Sequence, residues 1–141
     1  MISHVAIEEV MTTRPVCVRP KDLMTVVGQL FKNHHFHHIP VVDEEGILQG
    51  IISKVEYYCL QDSLSLFRPN GRQDVNERLL SSLLVKDVMK KSPMVLQADD
   101  TLIDAALIFD ENKFHALPIV EEDGRLIGII TPHDLIRKAY L

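Results

Sequence analysis

The chain contains the same residue pattern twice, and the two copies lie 78 positions apart. This offset aligns Glu8–Ser63 with Lys86–Leu141 without a gap, and 15 of the 56 aligned pairs are identical. An internal repeat of this length indicates two copies of one structural unit. Because a unit this short buries too little apolar surface to be stable alone, we expect the two copies to pack together.

The amino-acid composition limits the kinds of partner and environment that suit this chain. The chain has 141 residues, of which 46% are hydrophobic and 25% are charged, and its net charge of −5 argues against binding to a nucleic-acid backbone. It contains neither an apolar run near 18 residues nor a charged-then-apolar leader, so we expect no membrane span and no signal peptide. Cys17 and Cys59 have no metal-ligand spacing. We therefore predict free thiols and a cytoplasmic protein.

Hydrophobic periodicity predicts a strand–helix–strand–strand–helix order for the first repeat. A brief helical turn over residues 10–14 precedes a short strand at Val16–Val18, and Asp22 is predicted to cap the following helix. Two strands flank a turn at residues 43–46 and form a hairpin, after which Ser53 caps a helix that runs to about Leu60. The core face of the first helix is predicted to be Met24, Val27, Gly28 and Phe31, and the hairpin strands are predicted at Ile39–Val42 and Leu48–Ile52.

The second repeat follows the same plan, so the fold class is mixed α/β (α+β) with two β-α-β-β-α units. Asp100 is predicted to cap its first helix, and the Asp123-Gly124 pair is typical of a tight hairpin turn. The predicted domains are residues 1–63, a connector at 64–85, and residues 86–141. Within the connector, residues 69–72 are predicted to form a turn or flexible loop, and residues 75–85 are predicted to form a helix. The remaining predicted elements are a strand at Met94–Leu96, a helix face of Leu102, Ala105, Ala106 and Phe109, hairpin strands at Ala116–Val120 and Leu126–Ile130, and a closing helix at Pro132–Tyr140.

The stretch Gly128–Asp134 is the first candidate for function. An apolar strand ends at Thr131, which suits an N-cap, and Pro132 suits the first helical position. Such a helix N-terminus favours an anion such as phosphate. Thr131 and Asp134 also have the spacing of a plain capping box, so both interpretations stay open on this motif alone. The same arrangement recurs at Gly50–Glu56.

The ordered set of repeated motifs resembles the CBS domain, and two in tandem resemble a CBS pair, or Bateman module. The motifs are Val10-Met11, Pro15, Ile39–Asp43, Gly46 and Leu48-x-Gly50-Ile51-Ile52-Ser53, with matches 78 positions later. The resemblance implies a small stand-alone module with a pseudo-twofold axis and two clefts between the repeats. It also implies regulatory binding of an adenosine nucleotide (AMP, ADP or ATP), a homodimer built through helices, and a regulated protein partner that the motifs do not identify.

The resemblance implies specific roles in a main cleft. Asp134 would accept hydrogen bonds from the ribose hydroxyls, while Thr131, His133 and His115 would face phosphate. The segment around Pro15 would hold the adenine. The full set carried over is Thr12, Arg14, Pro15, Val16, His115, Ala116, Ile130, Thr131, His133 and Asp134.

The first repeat departs from the family pattern, because Glu56 stands where aspartate is usual. Its extra methylene displaces the carboxylate by about a bond length. We therefore expect the second cleft to bind more weakly, with Lys54 compensating by meeting phosphate directly. The residues implied for this cleft are His37, Ser53, Lys54, Glu56, Lys90, Pro93 and Met94.

The sequence also bears on four other interpretations. The histidines His34, His35, His37 and His38 invite a metal site, but no cysteine or carboxylate recurs nearby at ligand spacing, so we predict no metal. No nucleophile elbow, P-loop or Cys/His pairing with an orienting residue is present, so we predict no enzyme and no catalytic cofactor. A ligand-free interaction or dimerisation module stays open, and so does a binder of S-adenosylmethionine or adenosine.

Overall fold

The computed structural model describes residues 4–66 and 78–141, which fold into two compact units. The C-terminal unit contains the described residues up to Pro15 together with Glu45–Leu48 and Ser92–Leu141. The N-terminal unit contains Val16–Glu44 and the described part of Gln49–Lys91. Each unit therefore combines most of one sequence repeat with a short segment of the other.

The helices and strands follow the repeat. In chain order they are β1 (Thr12–Thr13), α1 (Met24–Asn33), β2 (His38–Val42), β3 (Leu48–Ser53), α2 (Lys54–Leu66), α3 (Val85–Val88), β4 (Lys90–Lys91), α4 (Leu102–Asp110), β5 (Leu117–Val120), β6 (Leu126–Ile130) and α5 (Pro132–Tyr140). The mixed fold class and both hairpins are confirmed. In the described parts of the chain, every helix is too short or too polar to cross a membrane.

The C-terminal unit has a three-stranded sheet in the order β1-β6-β5. Both pairings are antiparallel, and Thr12 lies opposite Ile129 while Leu117 lies opposite Ile130. Leu117 and Ile119, two residues apart on β5, both belong to the core that includes residues of α4, as the period of two requires. The fully or almost fully buried side chains of this core are Ile7, Leu102, Ala105, Leu117, Ile119 and Ile130.

The N-terminal unit repeats this arrangement, with the sheet order β2-β3-β4. Gly50 lies opposite Lys91 and Ile51 opposite Lys90. Three of the four residues predicted for the helix face, Met24, Val27 and Phe31, are buried. The other buried residues of this core are Val18, Ile39, Val41, Ile52, Tyr57, Leu80 and Val85.

Glycine is required at the position of β6 that pairs with the short strand β1. A Cβ atom built at Gly128 would lie 2.5 Å from the Met11 sulfur and 2.9 Å from the Thr12 carbonyl oxygen. Both distances are shorter than real Cβ contacts, so any side chain here would displace β1. Gly50 has the same relation to Met89 and the Lys90 carbonyl. The repeated glycine thus permits close approach of a strand that is remote in sequence.

The prediction for the segment before Pro15 was wrong. The helical turn is a 3-10 turn at Ile7–Glu9, and the predicted turn over residues 10–14 instead contains the strand β1. Two threonines become a strand because β6 supplies hydrogen-bonding partners. Of the predicted short strands at Val16–Val18 and Met94–Leu96, only single parallel bridges form, from Val18 and from Leu96.

The predicted caps at Asp22 and Asp100 were also wrong. Helix α1 begins after Leu23 and α4 begins after Thr101, one residue later than expected in each case. The Asp22 carboxylate accepts the Arg19 amide at 2.8 Å, and the Asp100 carboxylate accepts the Gln97 amide at 2.7 Å. Both aspartates therefore close the turn that precedes the helix.

The helices at the ends of the repeats differ in how well they were predicted. Helix α5 has the predicted bounds, whereas α2 continues past Leu60 to Leu66. In the connector, the predicted turn at 69–72 and the start of the predicted helix, residues 75–77, lie outside the described residues. Residues 78–80 are helical, and a turn at 81–82 interrupts the predicted helix before α3.

Candidate functional site

The site predicted in the C-terminal unit lies where the central strand β6 runs into α5. Because β1 and β5 flank β6, Thr12 and Leu117 stand beside the last two strand residues. Ile130 and Ala116 are buried, Thr131 is half-buried, and Thr12 and His115 are exposed. The sheet therefore brings Thr12, Ala116, Ile130 and Thr131 to one end of the strands.

Asp134 closes the first turn of α5. Its carboxylate oxygen Oδ2 accepts the Thr131 amide at 2.8 Å and the Thr131 hydroxyl at 3.1 Å. No residue in the described parts of the chain donates a hydrogen bond to the second oxygen, Oδ1. The side chain is only half-buried. Asp134 can thus cap its helix with one oxygen and accept an external donor with the other.

The capping geometry alone does not mark a ligand site, because α4 has the same one. The Asp104 carboxylate accepts the Thr101 amide at 2.9 Å and the Thr101 hydroxyl at 3.0 Å. The two helix starts differ in what covers them. The Leu102 amide donates to the Val5 carbonyl at 3.0 Å, so a neighbouring segment covers the start of α4. The first residue of α5 is Pro132, which has no amide hydrogen, so α5 has no counterpart of this bond.

The residue after the cap also distinguishes the two repeats. In the N-terminal unit the Lys54 amide donates to the His37 carbonyl at 2.7 Å. Pro132 occupies the position of Lys54 in the second repeat and has no amide hydrogen. The corresponding carbonyl, that of His115, accepts no hydrogen bond from the described residues. A free acceptor is therefore present beside the last strand residues of the C-terminal unit.

The segment after β1 has an unusual backbone conformation. Arg14 has a φ of 49°, in the left-handed region that is uncommon outside glycine. The antiparallel register carries Arg14 and Pro15 away from Thr131, and Val16 belongs to the N-terminal unit. Ser92, the repeat counterpart of Arg14, has a φ of 50°. Because Ser92 lies 78 residues after Arg14, the sequence repeat alone could have identified Ser92 as a candidate residue for the second site.

The counterpart site in the N-terminal unit is built differently. The Ser53 hydroxyl oxygen accepts the Glu56 amide at 3.0 Å, while no described hydrogen bond ties the Glu56 carboxylate to Ser53. Lys54 is the first residue of α2. Lys90, on β4, lies opposite Ile51 of β3. His37, Ser53, Lys54, Glu56 and Lys90 therefore share this unit. The other two residues predicted for this site, Pro93 and Met94, belong to the C-terminal unit.

The histidine cluster shows no metal-binding geometry in the described residues. No group of three or more histidine, cysteine, aspartate or glutamate side chains converges there. The His34 ring instead stacks on Phe36, with ring centroids 4.8 Å apart and planes 12° apart.

The repeated sheet-and-helix units, each with a capped helix following its central strand, define a tandem α/β module. The chain belongs to the CBS domain family, whose sequence profile matches residues 7–56 and 85–140. The two matched segments are the two repeats, so the chain is a tandem CBS pair.

The chain is similar to part of some larger proteins and to nearly the whole of one solved structure. The chain is 33% identical over 128 residues to inosine-5'-monophosphate dehydrogenase of Mycobacterium leprae, and 31% identical over 140 residues to the chloroplastic protein CBSX1 of Arabidopsis thaliana. It spans 21% of the dehydrogenase and 58% of CBSX1. A crystal structure of Arabidopsis CBSX2 in complex with AMP matches with a TM-score of 0.78 and 29% identity, covering 95% of each chain.

Proposed function

We propose that this chain is a regulatory sensor that binds an adenosine nucleotide (AMP, ADP or ATP) in its C-terminal unit. The observation that carries the proposal is the half-buried Asp134 carboxylate, which has one oxygen free of partners among the described residues. The AMP complex of CBSX2, which matches 95% of this chain, supports the choice of ligand.

The proposed contacts follow the chemistry of the nucleotide. Asp134 Oδ1 accepts a ribose hydroxyl, and a hydrogen bond to a charged group contributes about 1.5–3 kcal/mol. The N-terminus of α5, with Thr131 and His133, faces phosphate because backbone amides and the helix dipole favour an anion there. The His115 carbonyl is available to the adenine amino group, and the buried Ile130 and Ala116 form the apolar floor.

The residues after β1 complete the proposed adenine site. Arg14 is held in a left-handed conformation, and strained positions of this kind cluster at ligand sites. Thr12 pairs with Ile129, two residues before Thr131, so the start of β1 lies at the same end of the sheet and Arg14 follows two residues further along. We propose that Arg14 and Pro15 border the base.

We propose that the N-terminal unit binds the same class of ligand more weakly. The longer Glu56 side chain places its carboxylate differently from Asp134. Lys54 and Lys90 form no ion pair with any described residue, so both ammonium groups are available to phosphate. The site would then depend more on phosphate and less on ribose than its counterpart.

We also propose that the chain acts by binding rather than catalysis, in the cytoplasm, and as a homodimer. The match to the dehydrogenase extends over only a fifth of that enzyme, which supports a regulatory role for the matched segment. Neither Cys17 nor Cys59 forms a disulfide with a described residue, which supports a reducing compartment.

Titration calorimetry with AMP, ADP, ATP, adenosine and S-adenosylmethionine tests the ligand proposal, with GMP as the control for base recognition. We expect at least one of the three adenine nucleotides to bind, with GMP weaker because its base lacks the adenine amino group. Heat from adenosine and S-adenosylmethionine alone would favour the phosphate-free alternative. No heat from any adenosine compound would contradict the sensor and favour a ligand-free interaction module.

A further inference from the structure

Basic and acidic side chains are divided unequally between the two units. The described residues of the N-terminal unit include eight lysines and arginines against six aspartates and glutamates, which gives a net charge of +2. Those of the C-terminal unit include five against twelve, which gives −7. Charges are screened beyond about 8 Å at physiological salt, so a difference in ligand binding requires the same imbalance at the proposed sites themselves.

The charges near the two helix starts differ in the same direction. Lys90 and Lys91 form β4, which pairs with β3, the strand that leads into α2. Lys54 is the first residue of α2. The repeat counterparts of these three lysines are all uncharged, namely Pro132, Thr12 and Thr13. The N-terminal unit therefore has three cations at positions where the C-terminal unit has none.

The two lysines of β4 point to opposite faces of their sheet. Lys90 lies opposite Ile51, and residues paired in this way share a face. The next residue, Ile52, belongs to the core beneath α1, so the Lys90 side chain lies on the face away from that core. Strand spacing places its Cα about 8 Å from that of Ser53, the residue before α2. The Lys90 ammonium can therefore approach a group bound at the start of α2, whereas Lys91 points to the other face.

The proposed sites therefore differ in how they respond to added phosphates. Among the residues proposed for the C-terminal site, Arg14 is the only lysine or arginine and Asp134 the only carboxylate, so their charges balance. In the N-terminal site, Lys54 and Lys90 outweigh Glu56. A phosphate group carries about one to two negative charges at neutral pH, so a nucleotide becomes more anionic with each phosphate. Only the N-terminal site has surplus positive charge for the additional phosphates.

We propose that the two units select nucleotides by the number of phosphates. The N-terminal unit binds ATP in preference to AMP, with Lys54 and Lys90 on the added phosphates, whereas the C-terminal unit binds AMP at least as well as ATP. The inference rests on the proposed nucleotide binding and adds to it the phosphate count that each unit selects. An exposed ion pair changes an affinity by up to about fivefold, so two pairs favour ATP about tenfold in the N-terminal unit. ATP and AMP therefore bind to different units of one chain.

An NMR titration measures the two units separately, because each backbone amide reports on its own surroundings. In ¹⁵N-labelled protein without divalent cations, signals of residues 52–56 report binding to the N-terminal unit, and signals of residues 130–134 report binding to the C-terminal unit. We expect the first set to be half-shifted at an ATP concentration about ten times lower than the AMP concentration required. We expect the second set to show no advantage for ATP.

Lys90→Thr and Lys91→Thr form a matched pair of variants, because each replaces an exposed lysine by the residue at its counterpart position. We expect Lys90→Thr to reduce the ATP preference of the N-terminal unit about three- to fivefold. Lys91→Thr removes the same charge from the opposite face and should leave the preference nearly unchanged. Thr12→Lys tests the converse and should give the C-terminal unit an ATP preference of similar size, with circular dichroism to verify folding.

The possible results separate this inference from the sensor proposal. Unchanged spectra with every nucleotide would overturn both. Binding to both units with the same dependence on phosphate number would overturn the phosphate selection alone. Equal losses for Lys90→Thr and Lys91→Thr would also overturn it, because the preference would then come from net charge and not from a contact at the start of α2.

Discussion

Replacing Asp134 by alanine separates helix capping from ligand binding, because Asp104 offers a matched control. Both carboxylates accept an amide and a hydroxyl from a threonine three residues earlier, at 2.8–3.1 Å for Asp134 and 2.9–3.0 Å for Asp104. Losing such a cap costs about 1 kcal/mol, so each alanine variant should lower the melting temperature by about 3 °C. In the absence of ligand, the two variants should therefore behave alike.

They should differ once nucleotide is added. If Asp134 Oδ1 accepts one ribose hydroxyl, its removal costs about 1.5–3 kcal/mol of binding free energy. Since 1.4 kcal/mol corresponds to a factor of ten, the affinity for AMP should fall by about 10- to 150-fold. Asp104→Ala should leave the affinity unchanged, because the start of α4 is covered by the Val5 carbonyl.

The assay is calorimetric titration of both variants with AMP, alongside thermal melts with and without the nucleotide. Asp134→Asn adds a third comparison, since it keeps one acceptor oxygen for the Thr131 amide but removes the charge. We expect it to retain most of the stability and to bind AMP with intermediate affinity. Equal AMP affinities for Asp134→Ala and Asp104→Ala would refute the reasoning, because the Asp134 carboxylate would then serve only to cap its helix.

Three further predictions follow from other contacts. Glu56→Asp should strengthen AMP binding to the N-terminal unit about tenfold by restoring the shorter carboxylate, and an unchanged calorimetric isotherm would contradict this. Gly128→Ala should lower the free energy of unfolding by about 1–3 kcal/mol in urea titrations and weaken AMP binding, because the new Cβ meets Met11 and displaces β1; unchanged stability would contradict the close approach. Burial raises the pKa of the Cys17 thiol, and Arg19 offsets only part of that rise. Maleimide labelling of Cys17 should therefore need a higher pH than labelling of the exposed Cys59. Equal labelling rates at the same pH would contradict this.

The corrections to the predicted elements share one cause. Asp22 and Asp100 have the composition expected of caps, yet each closes a turn one step before its helix begins. Leu23 takes the cap position of α1 because the Met24 amide finds its acceptor in the Leu83 carbonyl at 2.9 Å. A partner that is far away in sequence thus decided where the helix starts, which no local pattern contains.

The sequence by itself determined the repeat, the two hairpins, the bounds of α5 and the Thr131–Asp134 cap, because each depends on interactions within a few residues or on a simple period. The sequence also contained the difference between Lys54 and Pro132. Lys54 has an amide that donates a hydrogen bond to the His37 carbonyl, whereas Pro132 has no amide hydrogen to donate to the His115 carbonyl.

Only the tertiary structure decided the rest. Thr12 and Thr13 form a strand because β6, from the other repeat, supplies their partners. Whether the first amide of α4 finds an acceptor outside its helix depends on where Val5 lies. A pocket between α4 and α5, lined by Ala106 and Leu135 among others, stays open, whereas the Tyr57 ring fills the space at Gly28 in the N-terminal unit. Such outcomes depend on contacts between distant segments, whose pairing the local sequence does not specify.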